Sequence, residues 1–323
     1  MTAVPATALK ASPRVIGVSG GVSGVAAGPG PLRLERARGT VRIAARARAG
    51  RTHIAEAYQS GSSKVRFPRQ FDTDVPEAVL LNTAGGITGG DRFDIDCDVG
   101  AGAALTATSQ AAERVYRSPG GAGRMSTTLR LHPGARLDWL PHETILFNHG
   151  RLERRLDVEM AADASLVLCE AVVLGRAAHG ETVDGGLFRD RWRIRRDSRL
   201  VYADTLLLDW GAAAVRDARG GGVAAIGRSV AKARLLQAQA LQGEATLAGA
   251  RAFASLLVVA ADVTDRLEPA RAALAGVDAT GGASAWDGLL SIRLVAADAA
   301  PLRAALLVLL AAIGVRVPRA WMI

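Results

Sequence analysis

Lysine is almost missing from this chain: Lys10, Lys64 and Lys232 are three among 40 basic residues, and arginine supplies the rest. Aromatics are scarce as well, at 4% of 323 residues. The two shortages bear on the net charge of +9 and the isoelectric point near 10.6. Arginine and alanine richness without lysine is the mark of GC-rich coding. A surface built for nucleic acid would also want aromatic rings to stack bases among the arginines. The basic stretch from Arg33 to Arg51 has none. Cysteine occurs twice, at Cys97 and Cys169, with no CxxC pair, which excludes a disulfide framework and a structural zinc site. Both cysteines sit in strand-like apolar patterns and read as small buried hydrophobes. No apolar run is long enough to span a bilayer; Ala304 to Val315 is the longest and falls short of the ~20 residues required. Glycine and serine interrupt the first residues, so a signal peptide is not expected there, and a cytoplasmic location is the default reading.

What is present is mainly a period of two. In "RFDIDCDV", Phe93, Ile95, Cys97 and Val99 alternate with Asp94, Asp96 and Asp98, as in a half-buried strand with an acidic outer face. "MSTTLRLH" alternates in the same way. "RLERRLDVEM" puts Leu152, Leu156, Val158 and Met160 on one side, with Arg154 as the exception. "ASLVLCEAVVLG" is continuously apolar, as expected of a strand covered on both faces. Two helices are expected near the C-terminus. One runs from Thr264 to Gly276. The other has Asp298 as N-cap, Pro301 in its first turn and Gly314 as its stop. Ser229 to Leu247 is ambiguous between helix and strand. Residues 1–37, rich in Ala, Gly, Ser and Pro, read as a flexible tail or an over-extended gene start, and residues 38–323 as a single β domain. The fold class is therefore mainly β, with stacked antiparallel or β-helix-like sheets and a pair of C-terminal helices.

The candidate chemistry is sparse. "LNTAGGITGGDRF" carries the glycine pairs Gly85-Gly86 and Gly89-Gly90. A phosphate loop needs a lysine and a Ser/Thr for magnesium, and a dinucleotide fingerprint needs a different glycine spacing before a helix. Here Asp91 follows at once and then a strand, so the glycines make a backbone turn. "LPHETILFNHGR" holds His142, Glu143 and His149, but Leu146 stands where a zinc protease helix needs its second histidine. It reads as a strand edge with solvated polar residues, or as a transient metal or partner contact. Glu113, Arg114, Tyr116 and Arg117 read as a surface ion-pair set. Glu170, Arg176, His179 and Glu181 surround a strand end without a nucleophile beside a base.

Taken together, "LNTAGGITGGD", "TSQAAERVYRS", "WLPHETILF", "LVLCEAVVLGR" with its "HGE", and "FRDRWRI" resemble, in order, the signature segments of the urease accessory protein UreD (UreH) family. The closing "LRAALLVLLAAIGVRVPRAW" is similar to that family's last helix and its proline-arginine-aromatic end. The resemblance covers roughly Val41 to Trp321. "FNHGR", residues 147–151, departs from the family's more acidic version. The resemblance implies a chaperone-like protein that is not an enzyme. It binds apo-urease with a UreF-type protein and a UreG-type GTPase, and the complex inserts nickel into the urease active site. No nucleic acid or membrane partner is implied, and no permanently bound cofactor; Ni(II) passes transiently. Oxygen ligands and water suit such passage better than thiolate and imidazole, which bind borderline metals tightly. Asp91, Glu143, Glu170 and Glu181, each at a strand end within a signature segment, are the candidates for that nickel path. The rival readings are a basic β-rich nucleic-acid-binding protein and a hydrolase with a carboxylate pair on a β scaffold.

Overall fold

The computed structural model describes residues 35–210 and 247–322. The expected ambiguous segment, Ser229 to Leu247, lies almost entirely outside the described residues. Two sheets face each other. The first has seven strands, in the order β14 (Arg199–Asp209), β13 (Leu187–Arg196), β11 (Arg151–Met160), β8 (Gly123–Leu131), β5 (Arg92–Val99), β1 (Arg38–Arg48) and β2 (Arg51–Gly61). The second runs β16 (Thr280–Trp286), β17 (Leu289–Ala296), β15 (Ala252–Val259), β12 (Ser165–Leu174), β9 (Arg136–Trp139), β6 (Ala104–Ser109), β4 (Glu77–Asn82) and β3 (Ser63–Arg66). Two short strands, β7 (Glu113–Val115) and β10 (Thr144–Leu146), pair with each other beside β12.

The middle of each sheet is parallel: β1, β5, β8, β11 and β13 in the first, β4, β6, β9 and β12 in the second. Parallel neighbours need a crossover, usually a helix. Here the crossover passes through the opposite sheet: along the chain β5, β8, β11 and β13 of the first sheet are separated by β6 and β7, by β9 and β10, and by β12 of the second. This is the β-helix-like half of the expectation. The antiparallel half holds at the margins, where β2, β3, β14, β15, β16 and β17 pair antiparallel.

The alternation read from sequence places the side chains. On β12, Leu166 and Leu168 face the other sheet, while Val167, Cys169, Ala171 and Val173 face the helices. Those helices are α1 (Val263–Ala275) and α2 (Ala299–Ala312). Asp298 caps α2 by accepting from the Ala299 amide at 2.7 Å, and Gly314 follows the helix at φ 71°. Leu306, Leu309 and Leu310 are buried on the sheet, each contributing roughly 2 kcal/mol of apolar burial. Beyond α2 the chain returns across β9, where Trp321 donates its indole N–H to the Leu140 carbonyl at 3.0 Å. Cys97 and Cys169 are buried free thiols, and burial pushes Cys97 up to about 12. Among the described residues no helix is long and apolar enough to cross a membrane.

The glycine stretch is the turn from β4 to β5, as read from sequence. A methyl group on Gly86 would lie 2.3 Å from the Tyr116 ring and 2.7 Å from the Arg114 carbonyl oxygen. We expect Gly86→Ala to cost about 2 kcal/mol in urea unfolding. Gly282→Ala, whose new methyl meets nothing within 4 Å, should change stability by only a few tenths of that. Equal losses at the two positions would contradict the close-approach account.

Candidate functional site

The apolar interior between the sheets is split in two. One cluster contains Leu166, Leu156 and Trp192; the other contains Val172, Leu152 and Phe188. Between them the alternation on three strands brings in charge: Arg154 on β11, Glu170 on β12 and Asp190 on β13. Arg154 and Asp190 are register partners. The Arg154 guanidinium donates to Glu170 Oε2 at 2.5 Å and to Asp190 Oδ2 at 2.6 Å. It also reaches the Thr144 hydroxyl at 3.1 Å. Trp139 donates its indole N–H to Glu170 Oε1, and Trp192 donates to Asp190 Oδ2, each at 3.2 Å. Arg154, the exception in its strand, is thus the bridge between the two sheets.

All three charged groups are less than 10% exposed. Burial alone would lower the Arg154 pKa, but the carboxylates of Asp190 and Glu170 more than offset it and fix the cation. Burial pushes the Glu170 carboxyl up, with Arg154 pulling back and Asp190 adding to the rise. One guanidinium therefore faces two carboxyls, and the Arg154 Nε–H has no partner among the described residues.

A cavity of about 210 Å³ lies on one side of this cluster, lined by Asn82, Glu113, Thr127, Trp139, His142 and Thr144 together with the charged triad. A smaller void of about 20 Å³, room for one water, lies on the other side, against Asp204, Leu206, Phe253 and Ser255. Arg154, Glu170 and Asp190 line both. At the cavity wall Asn82 donates its amide to both oxygens of Glu113, at 3.1 and 3.2 Å. Burial raises Glu113 from its ordinary 4.5 to about 7, against the opposing pull of Asn82. The reading of Glu113 as part of a surface ion-pair set is corrected here. β7 turns it inward, while Arg114, Tyr116 and Arg117 stay exposed. His142 is also buried, not solvated. Its Nδ1 lies 2.8 Å from the Ser109 carbonyl oxygen, and burial lowers its pKa.

Of the four carboxylates singled out from sequence, Glu170 alone lines the cavity. Asp91 accepts from the Ala37 amide at 2.9 Å and the Thr88 amide at 2.8 Å, tying the glycine turn to the start of β1. Glu143 lines a separate small crevice against Trp321 and Arg303. Its carbonyl receives the Glu113 amide at 2.9 Å. Glu181 pairs with Arg176 at 2.8 Å and accepts from the Asn148 amide at 3.1 Å; the Arg176 bond holds its carboxyl below the ordinary value. The four do not converge. Among the described residues no three His, Cys, Asp or Glu side chains form a metal cage.

The profile of the UreD urease accessory protein family matches residues 37–321. The chain belongs to the UreD family. The urease accessory protein UreD of Rhizobium leguminosarum bv. viciae is 44% identical over 291 residues, covering 90% of this chain and 96% of that one. A urease accessory protein UreD 2 from Methylorubrum populi is 44% identical over 313 residues, covering 94% and 96%. The UreD of Agrobacterium fabrum is 40% identical over 303 residues, covering 93% and 96%. These are accessory proteins by name, and this UreD-family chain is not an enzyme. The resemblance read from its signature segments is the one these relatives bear out.

Two predictions follow from the cluster and its cavity. Arg154→Met leaves two buried carboxyls without their cation and should cost about 3–5 kcal/mol in denaturant unfolding. Adding Glu170→Gln and Asp190→Asn should recover most of that loss; no recovery would show that Arg154 acts through packing alone. For Glu113 the raised pKa means the folded state holds the proton more tightly than the unfolded chain. Its contribution is complete below about 4.5 and is lost as pH rises through about 7. Glu113→Gln, which keeps an acceptor for Asn82, should match the parent's melting temperature at pH 5 and exceed it at pH 8. The same difference at both pH values would rule out a buried titrating Glu113.

Proposed function

We propose that this chain is a scaffold for urease maturation that carries Ni(II) between its two sheets toward apo-urease, in a cytoplasmic complex with UreF-type and UreG-type proteins. The observation that carries this reading is the charged triad with a cavity on each side. A divalent cation entering past Asn82 and Glu113 meets hydroxyls, carboxyls and the single imidazole of His142, with no thiolate in the lining to trap it. Glu113, near neutral in its titration, releases a proton when a cation takes its place. At the centre the cation exchanges with the Arg154 guanidinium for Glu170 and Asp190, and it leaves by the void toward Asp204. The GTP chemistry belongs to the UreG-type partner, in keeping with a glycine stretch here that has no phosphate-loop lysine. In this reading Glu170 meets the metal, and Asp91, Glu143 and Glu181 lie outside the passage.

The arrangement of the outer arginines argues against the nucleic-acid reading. On the outer face of the seven-stranded sheet Arg189 pairs with Glu153, Arg195 with Glu159 and Arg46 with Asp98, at 3.2, 3.3 and 2.6 Å. These three charges are matched within the sheet.

The test is urease activation in a reconstituted mixture of apo-urease, the accessory proteins, Ni(II), bicarbonate and GTP. Glu170→Gln should lower nickel loaded per urease by roughly tenfold while the accessory complex still assembles on gel filtration. Asp91→Asn, which keeps a carbonyl acceptor, should load nickel at the parent's rate once its folding is matched. Full loading by Glu170→Gln would remove the passage between the sheets from the account.

A further inference from the structure

A second polar site lies on the opposite face of the ten-stranded sheet. Ala78, Leu105 and Leu137 point into the inter-sheet core, so the residues beside them, Glu77, Thr106 and Asp138, point the other way. They are register partners across β4, β6 and β9: Glu77 opposite Thr106, and Thr106 opposite Asp138. The result is a row of carboxylate, hydroxyl and carboxylate about 10 Å long on adjacent parallel strands. Glu77 is 6% exposed, Thr106 8% and Asp138 2%. The chain leaving α2 passes over this row, and residues Gln70 to Val75 flank it. Between them is a cavity of about 180 Å³. The Arg316–Asp72 ion pair, at 2.6 Å, closes the two flanks on each other.

The charges around this cavity are matched except at Glu77. Asp138 holds the Arg136 guanidinium at 2.7 Å, and Arg316 holds Asp72. Glu77 has only neutral donors. The Gln70 amide at 3.4 Å and the Arg319 backbone N–H at 3.1 Å both reach Oε2, while the Arg319 side chain is exposed. Glu77 Oε1 is buried and has no partner among the described residues. A buried carboxylate oxygen without a protein donor is rare in folded proteins, because burial is costly unless a donor replaces solvent. The group it calls for is a cation that carries N–H donors.

We propose that this cavity, under the chain segment from Gly314 to Pro318, binds a guanidinium or primary ammonium group, with Glu77 as its counter-charge and the Thr106 hydroxyl as a second contact. The site is independent of the passage between the sheets, because the ten-stranded sheet separates the two. A free small cation and an arginine or lysine side chain of a bound protein present the same chemistry to it. A divalent metal does not fit as well, since Asp138, the second carboxylate of the row, is already occupied by Arg136.

The probe is methylguanidinium chloride, followed by saturation-transfer NMR on the full chain, with sodium chloride holding the ionic strength constant. Saturable binding is expected. Glu77→Gln should weaken it at least about tenfold, as loss of a charged partner does, and Glu153→Gln on the far sheet should leave it unchanged. If Glu77→Gln does not fold, judged by circular dichroism and melting, Thr106→Leu fills the cavity and should abolish binding with Glu77 intact. Repeating the titration with apo-urease bound separates the two sources. An undiminished signal assigns a free cation, and a lost signal assigns a partner side chain seated there; both support the site. Absence of saturable binding, equal binding by the parent and Glu77→Gln, or displacement of methylguanidinium by sub-millimolar Mg(II) or Ni(II) would overturn it.

Discussion

The guanidinium of Arg154, held between Glu170 and Asp190, is the contact on which the rest of the structure depends. Two sheets that meet through leucine and valine alone would close completely, as protein interiors do. Three charged groups in the middle of that interface prevent closure. They require donors and acceptors around them, which Trp139, Trp192 and Thr144 supply. They also leave a cavity of about 210 Å³ on one side and room for one water on the other. An all-apolar replacement of similar volume could be as stable or more so. Stability is therefore a poor reason for the triad, and the proposed transit of a cation is a better one.

The β-helix-like winding makes the triad possible. Because the central strands are parallel and alternate between sheets, side chains 16 and 36 residues apart land at one level: Arg154 with Glu170, and Arg154 with Asp190. The same winding lines up Glu77, Thr106 and Asp138 on the opposite face of the ten-stranded sheet. One core face and one helix-side face thus carry polar rows with different characters. The inner row is compensated by its own guanidinium and flanked by space on both sides. The outer row has one carboxylate oxygen with no partner among the described residues and a cover formed by the chain segment after α2.

Much of this was legible in the sequence and some was not. Period-two strands gave the mainly β fold, and Asp298 and Gly314 marked the ends of α2. The absence of a lysine beside Gly89-Gly90 excluded a phosphate loop, and the structure makes that stretch a turn. Arg154 stood out as an exception in its strand, but its partners could not be read, because register between strands is a tertiary property. Asp190 was missed although Phe188, Trp192 and Ile194 share its face of β13 and mark it as inward; the inward turn of Glu113 could not be read. A short strand such as β7, three residues long, has too few positions to show a period. Asp91 and Glu181 were singled out as candidates for the nickel path, and their oxygens are taken up by backbone amides and Arg176. A carboxylate at a strand end is as readily a cap for a turn as a ligand.

The central claim is that a cation occupies the inter-sheet cluster in exchange for the Arg154 guanidinium. The most direct measurement is an anomalous difference map at the nickel edge from crystals of the accessory complex soaked in Ni(II). The account predicts a peak between the two sheets, within coordination distance of Glu170 or Asp190, with Arg154 swung away from the carboxylate it has lost. Nickel confined to exposed histidines, with the triad unchanged and the cavity empty at saturating metal, would contradict it.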